Sequence, residues 1–350
     1  MKKKIVSFLA ILCLSLTVLA ACGKGSTAEK EKLTVYTAIE EELVQSYLES
    51  YKKENPNVEV TIVRDSTGII TAKLLAEGKN TKADVIWGVS ASSLLTLEQK
   101  DLLAGYTPKG SDAVLPNYKD TKSPTKWVGV AGYQTGIIVN TTELKKKNIA
   151  IPQTYADLTK PEYKGLIAMP NPASSGTGFL TVSAWLQMMG DTKAWEFMTE
   201  LHKNIGTYTQ SGSKPAKLAA AGEYPIGITL AYSGVQQLKQ GAPVEIVLPK
   251  EGLGWDVEAN ALVNKEGNSD NKVAQKFLDW ALTKDVMQKA FDANGFVSIK
   301  NEFKAPENFP KNIEEKMYKE NNLQWAATNR EPILKMWDQK FAEKAEVTKK

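Results

Sequence analysis

A short apolar strand followed by a helix recurs three times within the first hundred residues, and this repeat limits the fold more than any other feature. Residues 33–36 form the first apolar strand, and residues 41–53 then carry apolar side chains at helical spacing. Residues 58–63 and 83–87 are further predicted strands, each followed by another helical pattern. Because strands that alternate with helices assemble into parallel sheets, the repeat predicts an α/β fold with a doubly wound parallel sheet.

Two later extended segments predict that the chain crosses between two lobes. These segments are residues 127–140 and 255–263, in a chain of 350 residues that is long enough for two domains. We assign residues 33–135 to the first part of lobe 1, residues 136–250 to lobe 2, and residues 251–350 to a return to lobe 1 followed by C-terminal helices. Lobes joined by more than one crossing suit a cleft that closes about a hinge.

The N terminus carries the pattern of an export signal. Three lysines precede an uncharged stretch that ends in Leu-Ala-Ala directly before Cys22. This run is similar to the lipobox of bacterial lipoproteins, in which the cysteine is acylated. We predict a signal peptide at residues 1–21, a lipid on Cys22 and a flexible tether at residues 22–32. The protein would then lie on the extracytoplasmic face of the cell membrane, in the periplasm where the host has an outer membrane. The alternative is an uncleaved transmembrane anchor.

Composition excludes several classes of site. His202 is the single histidine, and Cys13 is removed with the predicted signal, so the mature chain lacks a histidine cluster and a cysteine pair. Without the three signal lysines, 41 basic residues face 40 acidic ones, and no basic stripe with interleaved aromatics indicates nucleic-acid binding. We expect a monomer without metal, cofactor or catalytic activity, and we place His202 on a helix surface.

Hydroxyl side chains stand at four junctions between a predicted strand and the next helix. The junctions carry Thr37, the run Ser66-Thr67-Gly68, Ser90, and the run Ser174-Ser175-Gly176-Thr177-Gly178. The carboxyl ends of parallel strands form the ligand crevice of an open sheet, and a helix start offers unpaired N–H groups to an anion. We therefore predict an anion cradle, with plain helix capping as the alternative at each junction.

Further polar groups could complete such a site. Residues 208–214 form a second hydroxyl-rich segment in which Lys214 could supply a charge, although a solvated turn is equally compatible. A ligand amine would require a carboxylate, and Glu40, Glu41, Asp65, Asp256 and Glu258 are the candidates. Tyr232 could add its phenol or lie in the core. The predicted ligand-binding residues are Thr37, Ser66, Thr67, Ser90, Ser174, Ser175, Gly176, Thr177, Ser211, Tyr232, Asp256 and Glu258.

These segments together resemble the 2-aminoethylphosphonate-binding proteins of ABC importers, within the larger iron/sulfate-type group of solute-binding proteins. The most specific runs are RDSTG at residues 64–68 and PNPASSGTGF at residues 170–179. The resemblance implies a two-lobed type II periplasmic-binding-protein fold, a ligand cleft between the lobes, and partners that are an ABC permease and its ATPase. By the same resemblance, the phosphonate would face Ser66, Thr67, Ser174, Ser175 and Thr177.

Other functions stay open at this stage. A ferric iron, sulfate or phosphate receptor is the nearest alternative, but iron-binding relatives present two adjacent tyrosines where this chain has Ala231-Tyr232. An extracellular hydrolase would need a nucleophile with a base, and His202 is the only histidine available. A third possibility is an adhesin or structural lipoprotein that has lost its ligand.

Overall fold

The computed structural model describes residues 30–294, 309–311 and 313–346. The predicted signal peptide, Cys22 and most of the predicted tether lie outside these residues. Among the residues described, no helix combines the length and the apolar character that crossing a membrane requires.

The described elements follow the predicted alternation of strands and helices. The strands are β1 (Glu31–Thr37), β2 (Val58–Arg64), β3 (Val85–Ser90), β4 (Leu103–Ala104), β5 (Val128–Asn140), β6 (Ile167–Pro170), β7 (Ile205–Thr209), β8 (Ile226–Leu230), β9 (Val244–Val247) and β10 (Trp255–Val263). The helices are α1 (Glu41–Glu54), α2 (Thr67–Glu77), α3 (Ala91–Gln99), α4 (Thr141–Lys146), α5 (Gly176–Met189), α6 (Asp191–Asn204), α7 (Lys214–Ala221), α8 (Ala231–Lys239), α9 (Lys272–Ala281), α10 (Lys284–Asn294), α11 (Leu323–Thr328) and α12 (Arg330–Phe341).

The strands form one continuous sheet in the order β2-β1-β3-β10-β5-β8-β6-β7, with β4 beside β10 and β9 beside β5. Pairing is parallel within β2-β1-β3 and within β8-β6-β7, as the strand–helix repeat predicts. β5 and β10 pair antiparallel to their neighbours. The sheet is therefore mixed rather than wholly parallel, because these two long strands connect its two parallel halves.

β5 carries the chain from one half of the sheet to the other. Its first part pairs with β10, from Val128 to Gln134. Its second part pairs with β8, from Thr135 to Val139. β10 in turn lies between β5 and β3. The two extended segments that the sequence analysis takes as crossings are therefore neighbours, and together they form the connection between the halves.

Each half has its own aromatic core. In the first half, Trp87 packs against Phe277 and Trp280, with ring centroids 5.5 and 5.7 Å away. In the second half, Trp185 packs edge-on against Tyr155 at 5.5 Å. Such pairs add about 0.5–1.5 kcal/mol each beyond their burial. The C-terminal helix α12 contributes buried side chains to the core of the second half, so the tail packs against that half.

Several predicted boundaries shift at the ends of strands and helices. Residues 88–90, predicted as a loop, continue β3 because Ser90 and Val89 pair with β10. Gly176 and Thr177, also predicted as loop, form the first turn of α5, which Ser175 caps by accepting the Gly178 N–H at 3.3 Å. The tail predicted as helical over residues 313–345 contains two separate helices, α11 and α12.

Candidate functional site

A small polar cavity lies where the carboxyl ends of β1, β2 and β3 face the start of α5 and the loop before α7. Its volume is ≈ 70 Å³. Nine of the twelve predicted ligand-binding residues line it, so the strand–helix junctions do converge on one place. These nine are Ser66, Thr67, Ser90, Ser175, Gly176, Thr177, Ser211, Tyr232 and Glu258.

One wall of the cavity, which we call the hydroxyl cradle, combines side-chain hydroxyls with the starts of two helices. It consists of Ser66, Thr67, Ser175, Gly176, Thr177, Ser211 and Gly212. α2 begins at Thr67 and α5 begins at Gly176, and the first N–H groups of each helix have no partner within the helix. These donors and the positive ends of two helix dipoles favour an anion.

Close contacts at two glycines hold the hydroxyl cradle together, and one of them joins the two halves of the molecule. A Cβ on Gly176 would lie 2.8 Å from the Cβ of Thr67, and a Cβ on Gly212 would collide with the Thr177 hydroxyl. Glycine at both positions allows α2, α5 and the loop before α7 to meet without a side chain between them. A ligand in the cavity can therefore contact both halves at once.

Arg64 is a charged residue of the cavity that the sequence analysis does not select. Its Nε donates to the Ile39 carbonyl at 3.0 Å, and its Nη2 pairs with Glu40 Oε2 at 2.9 Å. Both Arg64 and Glu40 line the cavity. The position of Arg64 at the carboxyl end of β2, directly before the Asp65-Ser66-Thr67 run, is the sequence signal that could have identified it.

A second group of lining residues, which we call the acid–tyrosine wall, consists of Glu40, Tyr133, Tyr232 and Glu258. A Cβ on Gly88 would lie 2.3 Å from Ile39 Cγ1 and 3.0 Å from Glu258 Oε1, so the bare backbone of β3 leaves room for both side chains. Burial raises the pKa of Tyr133 well above its usual value, and the charges of Asp256 and Glu258 act in the same direction. Burial, with Glu40 and then Glu258, does the same to the pKa of Tyr232. Both phenols therefore stay protonated at neutral pH and can donate hydrogen bonds.

Three predicted ligand-binding residues do not line the cavity, because each is held by a neighbouring group. The Thr37 hydroxyl is fully buried and accepts the Ile39 N–H at 3.1 Å. The Ser174 hydroxyl donates to the Gln210 carbonyl at 3.0 Å. Asp256 accepts the Ser92 hydroxyl at 2.5 Å and lies under the first turn of α3. In the structure, these three side chains contact neighbouring protein groups and are not among the residues that line the cavity.

Of the remaining polar candidates, one lines the cavity and the others lie outside its lining. Ser90 lines the cavity and also caps α3, since its hydroxyl accepts the Ser93 N–H at 3.3 Å. Lys214 pairs with Glu346 and is not among the lining residues. The Asp65 carboxylate accepts the Ser66 N–H at 2.7 Å, and Glu41 is exposed at the start of α1.

The predicted surface position of His202 is wrong. Its Nδ1 lies 2.9 Å from the Tyr208 hydroxyl and its Nε2 lies 2.7 Å from Glu343 Oε1. Only 14% of the His202 side chain is exposed, because the segment after α12 covers it. His202 is not among the residues that line the cavity. In the part of the chain that the structure describes, no group of three or more His, Cys, Asp or Glu residues could hold a metal ion.

Comparison with known sequences identifies the family. Residues 80–329 match the family described as bacterial extracellular solute-binding protein. A Haemophilus influenzae protein without assigned function is 31% identical over 290 residues, which cover 81% of this chain and 83% of that protein. The Fe(3+)-binding periplasmic protein of Serratia marcescens is 25% identical over 233 residues, or 66% of each chain.

Comparison with solved structures agrees with the sequence match. The periplasmic binding protein AfuA from Actinobacillus pleuropneumoniae, described with exogenous fructose-6-phosphate bound, has a TM-score of 0.81 and 28% identity. The alignment covers 89% of this chain and 99% of AfuA. The periplasmic binding protein P5PA also has a TM-score of 0.81, at 23% identity, and so supports the fold alone. These neighbours confirm a two-lobed type II periplasmic-binding-protein fold, and the named relatives are binding proteins rather than enzymes. The chain therefore belongs to the bacterial extracellular solute-binding protein family and is a binding protein of the ABC-importer type.

Proposed function

We propose that the protein captures 2-aminoethylphosphonate, a small zwitterion, between its two lobes and delivers it to an ABC permease and its ATPase. The observation that carries this proposal is that one cavity is lined by two unlike groups of residues, the hydroxyl cradle and the acid–tyrosine wall. The hydroxyl cradle offers hydrogen-bond donors to an anion, and the acid–tyrosine wall offers carboxylates to a cation. A ligand with a phosphonate at one end and an ammonium group at the other would use both walls.

The anionic end of the ligand would lie in the hydroxyl cradle. Helix N-termini and hydroxyls bind phosphoryl oxygens through directed donors. Arg64 adds a positive charge at the edge of the cavity, partly balanced by its pair with Glu40. The AfuA structure is described with a phosphorylated ligand, and this chain is 28% identical to AfuA. A phosphoryl head group is therefore a reasonable choice among anions.

The cationic end would lie against the acid–tyrosine wall. Glu258 and Glu40 are the carboxylates there, and Glu40 also pairs with Arg64 at 2.9 Å. Tyr133 and Tyr232 could stabilise an ammonium group through their ring faces. Sulfate and phosphate have no cationic group that would pair with the carboxylates of this wall, which favours the phosphonate over those anions.

The size of the cavity favours a compact ligand. A volume of ≈ 70 Å³ accommodates about five to seven water-sized groups, at roughly 10–15 Å³ for each. 2-Aminoethylphosphonate falls within that range. Ferric iron remains the second candidate, because Tyr133 joins Tyr232 in the cavity and the Serratia marcescens relative is named as Fe(3+)-binding.

Capture would occur by lobe closure, with the ligand shifting the population from open to closed. The proposed lobes are residues 33–135 with the return from residue 251, and residues 136–250. We further propose that Cys22 is acylated after removal of residues 1–21. This anchor would keep the receptor at the outer face of the membrane, beside its permease.

Calorimetric titration of the mature chain, begun after Cys22, tests the proposal. We expect 2-aminoethylphosphonate to bind more tightly than phosphate, sulfate or ferric citrate. Ser175→Ala with Thr177→Ala should weaken phosphonate binding by about tenfold or more, since each lost hydrogen bond costs about 1 kcal/mol. Thr192→Ala with Thr199→Ala, both exposed on α6, is the matched control. Tighter binding of ferric citrate, or equal binding by both double variants, would refute the phosphonate assignment.

A further inference from the structure

Side-chain hydroxyls hold the backbone carbonyls of the loop before α7. This loop is residues 210–213, and two of its members, Ser211 and Gly212, belong to the hydroxyl cradle. Three successive carbonyls of the loop each accept a hydrogen bond from a hydroxyl of the second half. Ser174 donates to the Gln210 carbonyl at 3.0 Å, Thr209 to the Ser211 carbonyl at 2.9 Å, and Thr229 to the Gly212 carbonyl at 2.6 Å. We call these three hydrogen bonds the carbonyl contacts.

Two of the three donors are buried in the sheet of the second half. Thr209 is the last residue of β7 and Thr229 lies within β8, and they are 1% and 0% exposed. Neither of them lines the cavity, so their hydroxyls reach the loop instead of the cavity. Because β7 and β8 belong to the same parallel part of the sheet, the carbonyl contacts attach the loop to a rigid element.

The carbonyl contacts also fix the directions of backbone N–H groups. In a trans peptide, the carbonyl of one residue and the N–H of the next lie in one plane and point in opposite directions. The contact at the Gln210 carbonyl therefore orients the Ser211 N–H, and the contact at the Ser211 carbonyl orients the Gly212 N–H. Among the described residues, neither of these two N–H groups has a backbone acceptor. The Gln210 N–H, by contrast, donates to Glu346 Oε2 at 3.0 Å.

The loop meets the start of α5 at Gly212. A Cβ on Gly212 would lie 2.3 Å from Thr177 Oγ1 and 3.0 Å from Ser175 Oγ, so the loop backbone lies directly against the hydroxyls proposed to bind the anion. A carbonyl oxygen that turned toward these hydroxyls would repel an anion through its partial negative charge, whereas successive N–H groups attract one. The orientation of each peptide group thus decides whether the loop attracts or repels the ligand.

We propose that Ser174, Thr209 and Thr229 are positioning residues for anion recognition, which hold three carbonyls away from the cavity so that the loop offers donors to the ligand. None of the three would touch the ligand. This inference rests on the proposed function only for the anion site, since it applies to any phosphoryl group in the hydroxyl cradle. It also gives Ser174 an indirect role, where the sequence analysis predicts a direct contact.

Calorimetry with 2-aminoethylphosphonate and with inorganic phosphate tests the inference. Thr209→Val removes the hydroxyl at nearly constant volume and frees the Ser211 carbonyl, so the affinity for both anions should fall about tenfold or more, as expected for one hydrogen bond to a charged group. Thr209→Ser keeps a hydroxyl and should bind within about twofold of the wild type.

Thr125→Val is the matched control for the loss of a buried hydroxyl. Thr125 is 6% exposed, donates to the Tyr106 carbonyl at 2.9 Å and does not line the cavity. Thermal unfolding of Thr125→Val and Thr209→Val should show similar losses of stability, because each leaves a carbonyl without its donor. Thr125→Val should nevertheless bind both anions as the wild type does.

A spectroscopic measurement distinguishes the orientation of the N–H from a general loss of structure. In ¹⁵N-labelled protein, the Gly212 amide proton should move to lower field when phosphonate binds to the wild type or to Thr209→Ser, because its N–H donates to an anion. In Thr209→Val this shift should be lost. If Thr209→Val does not fold, Thr229→Val frees the next carbonyl and replaces it, with the Ser213 amide proton as the reporter.

The outcomes separate this inference from the proposed function. Phosphonate binding that is equal in Thr209→Val and the wild type overturns the inference and leaves the proposed function standing. An equal loss in Thr209→Ser and Thr209→Val also overturns it, because the hydroxyl would then not be the cause. Phosphate binding that Thr209→Val loses, without phosphonate binding, supports the inference and refutes the proposed ligand. Absence of binding by both anions refutes the two together.

Discussion

Under the proposed function, the side chain of Glu258 would determine which anions the cavity accepts. The carboxylate lies against the bare backbone at Gly88, and its charge acts on both Tyr133 and Tyr232. A ligand with only an anionic group would experience repulsion from this charge. A ligand that also carries an ammonium group would have the repulsion replaced by attraction.

Replacing Glu258 with glutamine should therefore separate two ligands that differ only in the amine. We expect Glu258→Gln to weaken 2-aminoethylphosphonate binding by about tenfold or more, because a partly desolvated ion pair is lost. Binding of ethylphosphonate should stay the same or improve. Calorimetry on both ligands provides the measurement, and Glu41→Gln, exposed at the start of α1, is the control. An equal loss for the two ligands would show that Glu258 does not contact the amine.

Asp256 should affect stability instead of ligand choice. Burial raises the pKa of its carboxyl to about 6, although Ser92 and the Val257 N–H both donate to it. Burial lowers the pKa of Arg330 to about 10, and the charges of Arg330 and Asp256 interact. Since the folded-state pKa exceeds the usual value of 3.8, the folded protein binds the extra proton between these two values.

The stability of the wild type relative to Asp256→Asn should therefore depend on pH in a defined window. As the pH rises from about 4 to about 6, the unfolding free energy of the wild type should fall by about 3 kcal/mol relative to that of Asp256→Asn. Above about pH 6 the difference should stay constant. Urea unfolding of both proteins at several pH values measures it. A pH-independent difference, or one that moves in favour of the wild type, would contradict the raised pKa.

The residues missed or misplaced by the sequence analysis share one physical cause. Asp256 and Glu258 alternate onto the same face of a strand, so the sequence selects both. The structure places the two carboxylates differently. Asp256 lies under α3, whereas Glu258 lies beside the bare backbone of Gly88 and lines the cavity. Tyr133 enters the cavity through the pairing of β5 with β10. Register between distant strands is a tertiary property that local pattern does not contain.

At the scale of elements, the C-terminal segment after α12 holds the loop before α7, which lines the cavity. We call residues 343–346 the C-terminal strap. Its Glu346 N–H donates to the Tyr208 carbonyl at 2.8 Å, and the Glu346 carboxylate accepts the Gln210 N–H at 3.0 Å and pairs with Lys214. Lys344 donates to the Ile205 carbonyl at 2.8 Å. The strap thus fixes both sides of the loop that carries Ser211 and Gly212 into the cavity.

Removing the Glu346 carboxylate should loosen that loop. We expect Glu346→Ala to increase amide hydrogen exchange at residues 210–213 and to weaken phosphonate binding by about three- to tenfold, chiefly through faster dissociation. Hydrogen-exchange mass spectrometry and stopped-flow dissociation are the measurements. Glu331→Gln, an exposed acid in α12, should leave both unchanged. Normal exchange in Glu346→Ala would show that the strap does not hold the loop.

The elements themselves were more predictable than their placement. β1, β2 and β8 lie where the alternation of apolar residues and the helical spacing predict them, because both periods are local properties of the chain. The strap and α12 could not be placed, since the surface that receives them forms only when α5, α6 and β7 pack together. The sequence does not distinguish a ligand contact from a solvated turn at Lys214 for the same reason, because its partner Glu346 is 132 residues away.

At the scale of the whole molecule, α2 of the first half contacts the loop before α5 of the second. A Cβ on Gly68 would lie 2.6 Å from the carbonyl carbon and oxygen of Ser174, which are backbone atoms that cannot move aside cheaply. Gly68 lies within α2, where its backbone needs no unusual conformation. Glycine at this position is therefore explained by the contact between the halves and not by the helix.

Gly68→Ala should accordingly prevent closure without harming the fold. Alanine favours a helix over glycine by about 0.5–1 kcal/mol, so the unliganded protein should unfold at the same temperature or slightly higher. Phosphonate affinity should fall by about a hundredfold, because the ligand can no longer contact both lobes. Small-angle X-ray scattering should show the wild type becoming more compact with ligand while Gly68→Ala does not. Leu75→Ala, partly exposed on the same helix, should close normally. Normal compaction of Gly68→Ala would mean that the two halves meet elsewhere when the ligand binds.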